Sequence, residues 1–454
     1  MKSINPLDGS IIKEYQEYSE QQVLEIIDRC HNEFFNWKQV NIDQRCQLLL
    51  KTKEQLLAEK NRLAHLMADE MGKRLVEGEA EIEKCAWLCE YYANNAKQFL
   101  KAISVQTDYN SSEIHFSPIG VVFAVMPWNY PFWQVFRFAV PNLVAGNVGV
   151  LKHASNVSAC ALEIEKIFRD SGFPEYCFKT LLMGSDKVET IIKNPKVRAV
   201  SLTGSTQAGK AIAQLAGQYL KKSVLELGGS DPYIILEDAD LDLAVEKLSQ
   251  SRLLNSGQSC IAAKRFIVID KVHDDFVHKL KQQMSCKIMG SPKEPDVDLG
   301  PMARFDLRDE LHEQVQASIQ QGAKCILGGE VDSLSPGAFY PPTILINVKK
   351  GMKAYSEELF GPVASVIKVN SIEEAIEVAN DSDFGLGAAI FSKDIEKAQI
   401  IAKNKIDSGA CFVNDFVKSD PRLPFGGVKE SGYGRELSQF GIHEFMNIKT
   451  VCVK

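Results

Sequence analysis

From residue 120 onward short apolar runs take turns with longer amphipathic segments, and this alternation restricts the fold more than any other feature of the chain. VVFAVMPW at 121–128 gives way to a helix-period segment over 133–145, then VGVLKH at 148–153 and a helix over 158–171. FKTLLMG at 178–184, a helix over 187–192, VRAVSLTG at 197–204, a helix over 207–218 and SVLELGG at 223–229 extend the series. Strands that are each followed by a helix require a parallel sheet, because parallel neighbours are joined only by a long return over one face.

A second α/β series follows. It runs through RFIVID at 265–270, a helix over 274–284, a Gly/Pro-rich loop over 289–302 and a helix over 305–321. KCILGG at 324–329, a turn-rich stretch over 333–342, SVIKV at 365–369, a helix over 372–379 and AAIFS at 388–392 complete it. Two sheets imply two lobes with a cleft between them, the usual place for a small-molecule site. Ahead of both series, residues 20–100 carry helix-period patterns such as 44–60 and 78–100, broken near Met71-Gly72. Residues 103–116 alternate around Tyr109-Asn110-Ser111-Ser112 and read as a hairpin, and 447–454 alternate as well. Two exposed strands so far apart invite edge pairing within or between subunits, so a homodimer or homotetramer is expected.

Composition excludes several classes. With 454 residues, 45% of them hydrophobic and 24% charged, the chain can bury large cores, and global disorder is ruled out. The 52 Lys and Arg against 59 Asp and Glu give a net charge of -7 without a basic stripe, so no nucleic acid partner is expected. MKSINPLDGSIIKEYQEYS holds no apolar run of signal-peptide length, and no uninterrupted apolar stretch of about 18 residues occurs elsewhere. The expectation is a cytoplasmic protein with no membrane contact. Eleven scattered cysteines lack the spacing of a disulfide scaffold and are expected to be mostly reduced, buried thiols. Cys85 and Cys89 share a helix face with Leu88 and Tyr92, and no nearby His or Cys pair supplies further zinc ligands, so no metal is expected.

Four short patterns carry candidate chemistry. Thr203-Gly204-Ser205-Thr206-Gln207-Ala208-Gly209 follows an apolar strand and opens a helix, where free amides and the helix dipole suit a diphosphate. Its G-x-x-x-x-G spacing is neither a P-loop nor a G-x-G-x-x-G turn, and alone it also fits an ordinary βα connection. Cys260, in Asn255-Ser256-Gly257-Gln258-Ser259-Cys260, sits between a polar loop and an apolar strand, where a stabilised thiolate would attack a carbonyl. Glu226, at the end of an apolar strand, is a candidate general base or a solvated strand end. Asn129, between Pro127 and Pro131, is an amide on a stiff turn, able to donate to an oxyanion.

In one order over nearly the whole chain these patterns resemble the NAD(P)-dependent aldehyde dehydrogenases. The resemblance includes PWN at 127–129, LKHAS at 151–155, GFP at 172–174, TGST at 203–206, LELGGSDP at 225–232 and NSGQSC at 255–260. It continues through EELFGPV at 357–363, FGLGAAIF at 384–391 and LPFGGVKESGYGRE at 423–436. It implies an α/β fold with two Rossmann-type lobes and a small oligomerising β-ribbon. The implied domains are a cofactor domain over 1–102 and 119–228, a catalytic domain over 229–434, and a ribbon over 103–118 and 435–454. By the same resemblance Cys260 attacks the aldehyde, Asn129 and the Cys260 backbone N–H hold the oxyanion, and Glu226 activates the water that releases the acid. A coenzyme A-acylating activity is disfavoured because it would not need that base, and a silent binding protein would not need all three residues.

For the cofactor, the resemblance implies Lys152 at the adenosine ribose, Trp128 along the groove, Gly204 and Ser205 at the diphosphate, and Glu358 at the nicotinamide ribose with Phe360 beside it. NAD-specific relatives often place a Glu where Ser155 stands, so NADP is admitted beside NAD, with His153 a possible cation. Arg137, eight residues after Asn129, matches an arginine that grips the far carboxylate in succinate-semialdehyde dehydrogenases. KSDPRLPFGGVK at 418–429 resembles the bacterial branch of those enzymes, and Lys418 and Arg422 are expected to add positive potential there. Leu254 stands where some relatives carry Arg, and Ala262 removes a cysteine that some use for a redox disulfide. The substrate expectation is therefore succinate semialdehyde, with small neutral aldehydes as the alternative in which Arg137 is idle.

Overall fold

The computed structural model describes residues 1–332 and 335–454, so the first two residues of the turn-rich 333–342 stretch lie outside the described residues. The chain opens with a hairpin of β1 (Lys2–Ile4) and β2 (Ile11–Glu14), then the helical arm α1 (Glu20–Trp37), α2 (Ile42–Ala58), α3 (Lys60–Met71) and α4 (Leu75–Phe99). A capping box starts α1: Gln22 N–H donates to Ser19 Oγ at 3.2 Å while Ser19 N–H donates to Gln22 Oε1 at 2.8 Å. Its apolar stripe, Val23, Ile27, Cys30, Phe34 and Trp37, then buries on the neighbouring sheet. The break at Gly72 has a steric cause. Its φ is +75°, and a Cβ there would lie 2.8 Å from the Pro301 oxygen, so the chain turns into α4 only with glycine.

Strands β3 (Ile103–Ser104) and β4 (Ser111–Pro118) form the expected hairpin. Next come β5 (Val121–Met126), α5 (Trp133–Ala145), β6 (Val148–His153), α6 (Ser158–Asp170), β7 (Phe178–Thr180), α7 (Val188–Lys193), β8 (Val197–Thr203), α8 (Thr206–Gln218) and β9 (Lys222–Glu226). The second half holds β10 (Pro232–Ile235), α9 (Leu241–Leu253), β11 (Arg265–Ile269), α10 (Asp270–Ser285), α11 (Phe305–Gln320), β12 (Lys324–Leu327) and β13 (Thr343–Ile346). It continues through α12 (Lys353–Ser356), β14 (Val363–Val369), α13 (Ile372–Asn380), β15 (Phe384–Gly385), β16 (Gly387–Phe391), α14 (Ile395–Asn404) and β17 (Ala410–Val413). The last elements are β18 (Val428–Lys429), β19 (Gly432–Tyr433), α15 (Ser438–Glu444) and β20 (Met446–Val453).

The first sheet has the order β19-β9-β8-β5-β6-β7 and the second β12-β13-β14-β11-β10-β16-β17. Each is parallel except for one antiparallel edge strand, β19 and β12. In the first sheet β5 pairs with both β6 and β8, so the connection leaving β5 and the one leaving β8 diverge to opposite sides. The crevice outside the carboxyl ends of β5 and β8 is the switch point where such sheets bind ligands. Trp128 and Asn129 follow β5, and Gly204 and Ser205 follow β8.

Two expectations about the C-terminal region change. Residues 432–433, expected in the catalytic half, pair with Glu226 and Leu225 at the edge of the first sheet. The 435–454 stretch is not ribbon throughout: 438–444 form α15, whose Ile442 buries against α4 and α5 while Tyr92 Oη donates to the Ser438 oxygen at 2.9 Å. Only β20 joins β4, antiparallel from Met446 opposite Pro118 to Val453 opposite Ser111. No described helix is long and apolar enough to cross a membrane.

Candidate active site

Cys260 is held by a loop whose backbone is bent into the left-handed region at three successive residues, Asn255 (φ 54°), Ser256 (φ 53°) and Gly257 (φ 76°). Side chains hold the two non-glycine residues there. Asn255 Nδ2 donates to the Asn129 oxygen at 2.8 Å, Ser256 Oγ to the Gly300 oxygen at 2.8 Å, and Gln258 Nε2 to the Asn255 oxygen at 3.1 Å. Lys264 Nζ donates to the oxygens of Ser259 and Cys260 at 2.9 and 2.7 Å and pairs with Glu358 at 3.1 Å. Burial pushes the Cys260 thiol up to about 12, against the opposing pull of Arg137 and Lys264, so the sulfur is protonated at neutral pH.

Asn129 is buried, and one N–H of its Nδ2 donates to the Gln258 oxygen at 3.2 Å, which leaves the second free. Its turn is fastened from the arm. Lys73 Nζ donates to the Asn129 oxygen at 2.9 Å and pairs with Glu81, which also accepts the first N–H groups of α5 from Phe132 and Trp133 at 2.9 Å.

Cys260 lines two cavities. The first, of about 260 Å³, is walled by Trp128, Asn129, Gly204, Ser205, Glu358 and Phe360 among others. Trp128 and Phe360 meet edge to face at 5.8 Å across it. Ser205 caps α8 by accepting from Ala208 N–H, and an added Cβ at Gly204 would meet nothing nearer than 3.7 Å, so the space before the helix amides is open to an anion. Thr203 Oγ1 is buried without a partner in the same wall. Aromatic faces, an orphan hydroxyl, a helix N-terminus and a carboxylate together fit a dinucleotide. Lys152 and Ser155 lie outside this cavity, at and just after the end of β6, with Lys152 opposite Val125 of β5. His153 is no cation. It is buried, Ala154 N–H donates to its Nδ1 at 2.9 Å, its Nε2 lies 2.9 Å from the Pro131 oxygen, and burial depresses it to about 4.

The second cavity, of about 340 Å³, opens on the other side of Cys260 between α4, α5 and the 416–425 segment. Trp133, Gln134 and Arg137 of α5 face it at helical spacing. Arg137 is buried and already paired, its Nε 2.7 Å from Glu436 Oε2, with its guanidinium 4.5 Å from the Phe425 ring. Of the two cations expected from 418–429, Lys418 lines the cavity, whereas Arg422 is turned away onto Asp420 at 2.7 Å and the Trp87 ring. Sequence reasoning passed over Lys84, which lines the same cavity from α4, and Glu436, because their partners are distant in sequence.

Glu226, at the end of β9, is buried and lines neither cavity. Neither of its carboxyl oxygens has a partner. Burial first, and the negative Glu436 second, push its carboxyl well above the carboxylate range, with Arg137 and Arg435 opposing. Cys85 and Cys89 are buried in α4, and no cluster of three or more His, Cys, Asp or Glu among the described residues is disposed to hold a metal.

Residues 1–451 match the profile described as the aldehyde dehydrogenase family. A probable succinate-semialdehyde dehydrogenase [NADP(+)] of Synechocystis sp. is 45% identical over 451 residues, covering 99% of each chain. The succinate semialdehyde dehydrogenase [NAD(P)+] Sad of Escherichia coli is 44% identical over 449 residues, 99% of this chain and 97% of its own. The crystal structure of succinic semialdehyde dehydrogenase from Streptococcus pyogenes in complex with NADP+ superposes with a TM-score of 0.97 at 37% identity, covering 100% of this chain and 99% of that one.

Proposed function

The chain belongs to the aldehyde dehydrogenase family, and from that premise we propose that it oxidises succinate semialdehyde, or a close ω-carboxy aldehyde, to the acid with NADP or NAD. The observation that carries this reading is that Cys260 is a shared wall of a groove suited to a dinucleotide and a cavity with cations at its far side.

Cys260 Sγ gives its proton to solvent water and bonds to the aldehyde carbon, and the second Asn129 Nδ2 hydrogen and the Cys260 N–H donate to the oxyanion that forms. Trp128, Glu358 and Phe360 line the groove that would hold a nicotinamide, which would supply the acceptor for the hydride of that carbon. A thioester on Cys260 remains. Glu226, as its carboxylate, takes a proton from the water whose oxygen attacks the acyl carbon, and as the acid leaves it passes that proton to the departing Cys260 thiolate. Gly204 and Ser205 would hold the diphosphate, Glu358 with Phe360 and Trp128 the nicotinamide end, and Lys152, at the end of β6 beside the groove, the adenosine ribose. Ser155, small and uncharged, leaves room for a 2′-phosphate.

A second reading is favoured by one observation: Glu436 already matches the charge of Arg137, so Arg137 is spent within the protein and the substrate is a small neutral aldehyde. A panel of aldehydes assayed with both cofactors separates the two. Higher kcat/KM for carboxylate-bearing aldehydes than for neutral ones of equal length supports the first, and equal values overturn it. We further assign a cytoplasmic homodimer or homotetramer built on β20, whose Ile448 and Val453 are exposed on the ribbon. Light scattering of the full chain beside an Ile448→Lys variant tests that assembly, and a monomeric wild type would overturn it.

A further inference from the structure

The charges around the second cavity do not balance on Arg137. Its pairing with Glu436 makes that unit neutral, so an entering carboxylate needs another cation. Arg137 lines the cavity and its Nη2 is buried without a hydrogen-bond partner, but as part of a neutral pair. Lys418, on the opposite wall, is drawn to Asp415 at 2.8 Å. Lys84 differs from both. Its Nζ donates to Ser419 Oγ at 2.8 Å and lies 4.4 Å from the Trp133 ring, and it makes no ion pair among the described residues. It sits on the cavity-facing stripe of α4 with Glu77, Ala80 and Glu81, where Glu81 is engaged by Lys73.

We infer that Lys84, with Ser419 as its hydrogen-bonded companion, is the specificity-determining cation that receives the distal carboxylate of the substrate, while Arg137 Nη2 adds a second, neutralised donor. The inference rests on the reading of the substrate as an ω-carboxy aldehyde. Geometry supports it in two ways. The ammonium has donors beyond the one given to Ser419, and Lys84, Ser419 and the Trp133 ring beside it all line the cavity. A half-buried lysine without a counter-ion is also costly unless an anion completes the site.

Burial, aided by repulsion from Arg137, lowers Lys84 to about 8. The groups facing it are Glu81 and Cys85 on α4, Arg137 on α5, and Lys418 and Asp420 from the 416–425 segment. Below that value the ammonium is charged and the anionic substrate is favoured. As pH rises through it the preference is lost, which a merely structural lysine would not cause.

The experiment measures kcat/KM for succinate semialdehyde and for butanal, from about pH 6.5 to about pH 9.5, in wild type, Lys84→Met, Lys84→Arg and Ser419→Ala. The charged-to-neutral ratio is expected to fall about 10-fold in Lys84→Met through KM, and to survive in Lys84→Arg. In wild type it is expected to decline above about pH 8, and in Lys84→Arg to stay flat. A wild-type ratio near one overturns the ω-carboxy reading and the anchor with it. A high wild-type ratio that Lys84→Met retains, or that does not change with pH, overturns the anchor alone. Should Lys84→Met not fold, the wild-type and Lys84→Arg pH profiles decide by themselves.

Discussion

Lys73 Nζ lies 2.9 Å from the main-chain oxygen of Asn129, and Lys73 is buried with Glu81 as its partner. A cation on the helical arm thereby fixes the turn that carries Asn129, the oxyanion donor we propose. The same ammonium stands 3.9 Å from the Tyr130 ring, so the turn is gripped on two sides. Lys73→Met leaves the Glu81 carboxylate buried without its cation and is expected to cost about 3 to 5 kcal/mol in denaturant unfolding. In the folded fraction kcat is expected to fall more than KM rises, because the displaced amide serves the oxyanion and not the bound aldehyde. Wild-type kcat in the variant would remove Lys73 as a positioning residue.

Burial is the largest influence on the acidity of Glu226, and the Arg137–Glu436 pair is the largest charged one. Glu436 is the largest charge that raises the Glu226 carboxyl, and Arg137 the largest that lowers it. Glu436→Gln removes the repulsion, so Glu226 ionises at lower pH and the alkaline-rising limb of thioester hydrolysis moves down. Arg137→Met moves that limb up. Single-turnover release of acid against pH reads both shifts, and two variants that shift in the same direction would refute the coupling.

Much of this arrangement is legible in the sequence because local pattern and fold agree. The periodicity over 133–145 matches α5, and TGST at 203–206 marks the passage from β8 to α8, because Gly204 and the cap Ser205 impose the change of structure locally. Illegible features depend on residues that meet only in three dimensions. Glu436 lies 299 positions from Arg137 in the chain, and nothing in ESGYGRE marks it as a buried counter-ion. Lys84 reads as one more polar position on an arm helix until α5 closes over it. His153 reads as a cation beside Lys152, yet alternation along β6 turns it inward onto backbone oxygens. The 438–444 helix was hidden by the alternation of the strand that follows it.

Acid stability follows from His153. Its folded value of about 4 lies below the ordinary 6.5, so the group favours the folded state fully above 6.5. As pH falls from 6.5 towards about 4 the unfolded chain takes up a proton that the folded chain refuses, and about 3 kcal/mol is lost. His153→Gln is expected to be less stable at neutral pH and to lose less on acidification. Urea unfolding midpoints at a series of pH values check this, and parallel curves for the two proteins would exclude a buried neutral imidazole.

We place cofactor choice at the end of β6, where His153 is neutral and Lys152 is the nearest cation in sequence to the exposed Ser155. Burial lowers the Lys152 ammonium from its ordinary value, yet a lysine so placed still favours an anion over a hydroxyl. On the proposed cofactor reading, Ser155→Glu puts a carboxylate where a 2′-phosphate would sit. Like charges at contact range near a protein surface repel by a few kcal/mol, which translates to roughly 10- to 100-fold weaker NADP binding. NAD, which offers hydroxyls there, is expected to bind as well or better. Calorimetric Kd values for both cofactors against wild type and variant give the comparison directly. Added salt screens the difference, so the NADP penalty should shrink as ionic strength rises. A variant that still binds NADP as wild type does would place the 2′-phosphate away from residue 155.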